Sequence, residues 1–128
     1  RRDEMITEMR TYLQTVFPSM TFLGHEAQDG YEAFVVVQGE PMGGYEKQIN
    51  GQRRIPDDIN ILIYNQSNTA GEAQFQQLRE FFAVTEASYL TVGSYNIINV
   101  NIETSGFVGF DDNSKIIYQI TLNIEREI

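Results

Sequence analysis

Apolar residues recur every three or four positions at the start of the chain: Met5, Ile6, Met9, Tyr12, Leu13, Val16 and Phe17. That spacing lines up on one face of a helix, with Thr7, Glu8, Gln14 and Thr15 on the other, and Pro18 ends it. A short extended piece is expected over residues 20–23, then a polar loop over 24–30. Residues 32–38 form a β-branched run that reads as a strand closed by Gly39, and residues 59–64 form a second. Thr69-Ala70-Gly71-Glu72 has the form of a capping box, which predicts a helix start there. Ala70, Ala73, Leu78, Phe81 and Phe82 carry that helix to about Ala83. Residues 96–104 then alternate, with Ile98, Val100 and Ile102 opposite Asn99, Asn101 and Glu103. The clearest alternation comes last. Ile116, Tyr118, Ile120, Leu122 and Ile124 share one face, while Gln119, Thr121, Asn123 and Glu125 are expected to meet water.

Two segments resist this reading. Residues 39–55 are polar and glycine-rich, and form either a long flexible loop or two edge-strand pieces around a turn at Asn50-Gly51. Residues 105–115 read as a glycine-bearing loop in which Asp111-Asp112-Asn113 makes a turn. The order helix, strands, helix, strands predicts an α+β fold, with two helices packed on one face of a mostly antiparallel sheet. The 128 residues, 41% hydrophobic and 21% charged, suit a single domain over residues 1–128. Residues 1–4, ahead of Met5, are either a tag or disordered remnant or part of a longer natural N-terminus.

Charge and composition narrow the function. Eighteen acidic against nine basic residues give a formal net charge of −9, which disfavours gripping nucleic-acid phosphates while allowing DNA to pass without binding. Cysteine is absent, which excludes disulfides and thiolate chemistry and fits a reducing cytoplasm. Apolar runs such as residues 33–37 are too short to span a bilayer. The first helix is interrupted by Glu8 and Arg10 and does not read as a signal peptide.

Catalytic chemistry is hard to assemble. His25, the single histidine, sits in GHEAQDG without a nucleophile or orienting partner in any familiar pattern. Asp57-Asp58 and Asp111-Asp112 are carboxylate pairs of the kind that can hold Ca²⁺ or Mg²⁺. The second pair lacks the glycine of a calcium loop and places Lys115 where a ligand belongs. Residues 39–44 lack the Gly-Lys-Ser/Thr ending of a phosphate loop, and Asn65-Gln66-Ser67 matches a glycosylation sequon by coincidence. The expectation is therefore a non-enzymatic protein with no catalytic residue, metal or cofactor.

Contact-forming residues are easier to find. Lys47, Arg53 and Arg54 gather three of nine basic residues into one segment, either as a solvated cluster near Asp57 and Asp58 or as a basic surface for an acidic neighbour. Met42, Tyr45 and Ile49 beside them are types favoured at interfaces. Phe107, Val108 and Phe110 either tuck beneath a helix, the usual fate of aromatics, or form an adhesive patch.

The feature order resembles the tail-terminator, or head–tail joining, proteins of long-tailed bacteriophages, often labelled minor capsid proteins. The residues that carry the resemblance begin with Phe17-Pro18 after the first helix and with Phe22-Leu23-Gly24. A strand into a glycine-rich loop follows at 34–44, then Arg54-Ile55-Pro56 leading to Tyr64. An alanine-bearing helix at 70–82 and Ser105-Gly106-Phe107-Val108-Gly109-Phe110-Asp111-Asp112-Asn113 before the last strand complete it. The resemblance spans nearly the whole chain, with residues 39–55 as its main departure. It implies a virion protein at the head-proximal end of the tail, assembled in the bacterial host cytoplasm. Such a protein forms a homo-oligomeric, hexameric ring that caps the tail tube, ends tube polymerisation and joins the head connector. Its partners would be the tail-tube protein and a head-completion or connector protein, with DNA crossing the lumen and no membrane involved. Met42, Tyr45, Lys47, Arg53, Arg54, Phe107, Phe110, Asp111 and Asp112 are the expected interface residues. The alternatives are another phage neck or tail-completion protein, a small ligand-binding module working through residues 39–55, and a small hydrolase or metal enzyme.

Overall fold

A computed structural model of the protein describes residues 2–23, 32–39, 47–49, 52–85, 90–92 and 95–127. Helix α1 (Arg2–Val16) leads through β1 (Phe22–Leu23) to β2 (Ala33–Gly39), β3 (Lys47–Ile49) and the long β4 (Gln52–Asn65). Helix α2 (Asn68–Thr85) then precedes β5 (Leu90–Val92), β6 (Tyr95–Phe110) and β7 (Ile116–Glu127). All seven strands join one sheet in the order β1-β2-β4-β7-β6-β5, with β3 paired to β4. Among the described strands only the β1–β2 pair is parallel. The expected α+β architecture is the one found.

Alternation along the strands decides the core. Register places Val37, Ile61 and Ile120 in one row across β2, β4 and β7. Val35, Ile59, Ile63, Leu122 and Ile124 lie on the same face, buried together with Ile6, Met9 and Leu13 of α1 and Phe75, Leu78 and Phe82 of α2. Both helices therefore cover one face of the sheet. A fifteen-residue helix is marginal alone in water, so this burial is what holds α1 in place. The side chain of Gln14, expected on a merely polar face, fastens its end. It donates to the Met20 carbonyl at 2.7 Å and accepts from the Phe22 N–H at 3.1 Å.

Helix α2 starts differently from expectation. Ser67, two residues before Thr69, is the cap: its hydroxyl accepts the Ala70 N–H at 3.2 Å, and its carbonyl accepts the Gly71 N–H at 2.9 Å. The Asn65 side chain accepts the Ser67 N–H at 2.9 Å and donates to Gln74 at 3.2 Å. The chain thus turns as soon as β4 ends, which moves the helix start forward. Asn65 is buried and committed to these bonds, as a coincidental sequon should be. Gly71 lets α2 approach the sheet closely, because a Cβ there would lie 2.8 Å from Ile116 Cγ2 and 3.1 Å from Asn65 Cβ.

The strands outrun the alternating patterns. β4 extends back to Gln52 because residues 54–58 pair with the end of β7, Arg54 opposite Glu127. The edge-strand alternative for residues 39–55 is found where the structure describes them, with Lys47 opposite Arg54 and Ile49 opposite Gln52. Residues 40–46, 50 and 51 lie outside the described residues. Pro56 is tolerated in mid-strand because neither β2, which ends opposite Ile59, nor β3, which begins opposite Arg54, pairs with β4 there. Residues 105–110, expected in a loop, continue β6 beside β7. β5 had no counterpart in the pattern.

The second sheet face is less polar and less open than expected, with Phe34 and Val36 of β2 buried on it. Thr121 and Glu125 are buried. Thr121 donates to Asn60 Oδ1 at 2.7 Å, Gln119 donates to the same oxygen at 3.0 Å, and Asn123 donates to Asp58 Oδ1 at 2.7 Å. Neighbouring strands bring these side chains within reach, so they bond sideways rather than to solvent alone. Neither helix is long and apolar enough to cross a membrane.

Candidate interaction surface

β6 owes its unusual shape to three interruptions of register with β7, at Ile97/Asn99, Ile102/Thr104 and Phe107/Gly109. Each inserts one residue and bends the strand. The first leaves Ile97 and Val100 together on the core face, both buried. The third brings Phe107, opposite Tyr118, and Phe110, opposite Ile116, onto a common face. Gly106 and Gly109 both have φ 154°, a conformation that side-chain-bearing residues resist.

An aromatic ladder results. Phe75 of α2 stacks on Tyr118 at 4.7 Å, Tyr118 meets Phe107 edge-on at 6.0 Å, and Phe107 meets Phe110 edge-on at 5.6 Å. Its inner rung is buried, whereas Phe107 is 56% and Phe110 57% exposed, with Val108 at 53%. The usual fate of aromatics, beneath a helix, is not theirs. α2 covers the start of β7 and reaches β6 at Ser105, whose hydroxyl accepts from Arg79 Nε at 3.1 Å, but leaves the rings beyond it open. Val108 is the additional surface residue that the expected interface set omitted, and its place in a bulge is visible only through strand register.

The turn beyond is built by Asp111. Its carboxylate accepts the N–H groups of Asn113 at 2.9 Å and Lys115 at 2.8 Å, and its carbonyl accepts the Ser114 N–H at 3.1 Å. Asp111 thus builds the turn and stays half-buried, while Asp112 is exposed. Lys115, buried, holds its ammonium 6.0 Å from the centre of the Phe34 ring, and Phe34 stacks on Tyr64 at 4.6 Å. Burial first, and then the Asp111 carboxylate, push the Tyr64 hydroxyl above its ordinary pKa.

The basic segment lies elsewhere. Lys47 on β3 and Arg53 and Arg54 on β4 sit at the far end of the sheet from the β6 tip, one hairpin apart in register. Of the expected interface residues, Lys47, Arg53 and Arg54 thus stand apart along the sheet from Phe107, Phe110, Asp111 and Asp112. Met42, Tyr45 and His25 lie outside the described residues. Asp58 accepts from the Asn123 amide at 2.7 Å. Among the described residues no group of three or more His, Cys, Asp or Glu side chains could hold a metal ion. An open groove of about 560 Å³ runs between the end of α1 and α2, lined by Val16, Phe17, Pro18, Gln77, Glu80 and Phe81. No titratable pair converges in it.

No family model and no curated protein matches the sequence. Among solved structures, a chain from the virion of a native gene transfer agent particle has the same fold. The TM-score is 0.66 at 8% sequence identity, with 98% of each chain covered. At that identity the likeness is one of architecture, shared from end to end.

Proposed function

We propose that the protein is a non-enzymatic structural component of a phage-like virion, and within it the ring that caps the tail tube. In this role it ends tube polymerisation and presents a face to the head connector. The observation that carries the reading is the end-to-end likeness to a chain of a gene transfer agent virion, joined to the order of sequence features described above. The β6 tip favours it too: three large apolar side chains more than half exposed in one place mark a surface made to meet another. A closed ring needs two different patches per subunit, and the β6 tip, apolar with the exposed Asp112 beside it, supplies one. The net charge of −9 suits a lumen through which DNA slides without sticking. Tail tube and connector are its partners, and its place is the head-proximal end of the tail.

Removing the gene from the particle that encodes it tests the reading. Tails of uncontrolled length, unjoined to heads and restored to normal by the gene in trans, are the expected result. Normal-length tails that fail to join heads would reassign the protein to another neck role. Intact particles would sink the virion reading.

A further inference from the structure

The outer half of β6 and the neighbouring flank of α2 form a strip with opposite charges at its ends. Ser105, Phe107 and Phe110, opposite Ile120, Tyr118 and Ile116, share the sheet face that carries the helices. At one end the exposed Arg79 of α2 donates from Nε to the Ser105 hydroxyl at 3.1 Å. That bond holds the guanidinium beside the rings, and among the described residues no carboxylate pairs with it. Phe107 and Phe110 occupy the middle, with Val108 in the bulge between them. The exposed Asp112 lies at the other end, just past Phe110. Glu72 strengthens that end. It stands two helical turns before Arg79, exposed on the same flank of α2. Its neighbour Gly71 sits against Ile116, the partner of Phe110. Glu103 falls outside the strip, in the bulge before Thr104.

Cation, rings and acid in this order match a copy of the same strip turned end for end. Arg79 of each copy then meets Asp112 of the other, with rings against rings between them. A purely acidic or purely basic partner would satisfy one end and be repelled by the other. Exposures of 56%, 53% and 57% for Phe107, Val108 and Phe110 leave roughly 300 Å² of apolar surface per copy, a size at which such patches are often functional. With its polar rim the pair would bury less than about 1,200 Å² in total, the size of a transient contact and not of a permanent dimer. The contact runs through side chains. Register breaks on both sides of Thr104–Phe107 interrupt the edge that strand addition would need.

We propose that the free chain forms a reversible two-fold dimer through this strip, Arg79 of each copy paired with Asp112 of the other across Phe107, Val108 and Phe110. A two-fold contact closes on itself and does not continue round a ring. The dimer therefore goes beyond the ring reading: it covers the β6 tip before assembly, and a ring that uses the tip must displace it.

Sedimentation velocity over a concentration series tests this. Wild type should exchange between monomer and dimer and grow no further without other virion proteins. Arg79→Glu and Asp112→Lys, both at exposed positions, should each weaken the dimer by roughly tenfold, since each alone opposes like charges twice per pair. Mixed in equal amounts they restore both pairings and should form one-to-one heterodimers of wild-type affinity. Circular dichroism checks the fold of each variant, and Arg79→Gln and Asp112→Asn replace any that unfolds, each expected to weaken the dimer less. Wild-type affinity in either variant, or a mixture that fails to pair, overturns the dimer. So does a wild-type chain that stays monomeric up to its solubility limit. Growth of wild type past two copies would overturn it in favour of a head-to-tail contact. None of these results bears on gene removal, which decides on the ring alone.

Discussion

The β6–β7 ribbon has two halves that differ in what lies above them. Around Val100 and Leu122 the helices cover the ribbon, and both side chains are fully buried. Around Phe107 and Phe110 the same two strands keep pairing, yet the aromatics stand more than half exposed. Their cross-strand partners on β7 fare otherwise: Ile116, opposite Phe110, is buried under α2. Hydrogen-bonded pairing and burial are thus independent here, and the second half keeps apolar side chains that the fold of one copy leaves more than half exposed.

Substitution should make that contrast quantitative. The largest effect belongs to the covered half: Leu122→Ala removes a fully buried side chain and should lower unfolding free energy by about 2–5 kcal/mol in urea titration. A loss below about 1 kcal/mol would mean that the helices pack loosely over β7, and the contrast would fade. Next comes the place where α2 meets the sheet. Gly71→Ala gains helix propensity worth about 1 kcal/mol. Its methyl would, however, sit 2.8 Å from Ile116 Cγ2 and 3.1 Å from Asn65 Cβ, so overpacking should win with a net loss of about 1–3 kcal/mol. A stabilised variant would show that α2 can lift off Ile116 freely.

Smaller still is the cap. Ser67→Ala leaves the Ala70 N–H without its acceptor and should cost about 1 kcal/mol, whereas Thr69→Ala should cost little. Equal losses would restore Thr69 as the cap. That pair also shows where sequence reading stops. Thr69-Ala70-Gly71-Glu72 satisfies the capping pattern, but Asn65 fixes the Ser67 N–H at the end of β4, a tertiary fact with no periodicity. The two helices, the face assignment of β7 and the layer order were legible because burial imposes period 3.6 or 2 on the residues themselves. The outer half of β6 was not, since a bulge shifts the alternation and Gly106 and Gly109 look like loop residues until their strand neighbours are known. The candidate surface was half legible. Its residue types stood out, but their separation into two corners follows from register alone, and Asp111 is occupied by its own turn.

The smallest expected effect on stability tests the exposed half directly. Val108 is the bulged residue, 53% exposed, so Val108→Ser removes methyl groups that touch little in a single copy. Its unfolding free energy should stay within about 0.5 kcal/mol of wild type. On the proposed ring reading self-association should weaken, since a second copy would bury the same methyl groups. Sedimentation velocity and urea titration on one preparation read both quantities. A stability loss matching that of Leu122→Ala would place Val108 in the core and dissolve the distinction between the two halves. Unchanged stability with unchanged association would leave the halves distinct but remove Val108 from the contact, shifting the apolar share of the surface onto Phe107 and Phe110.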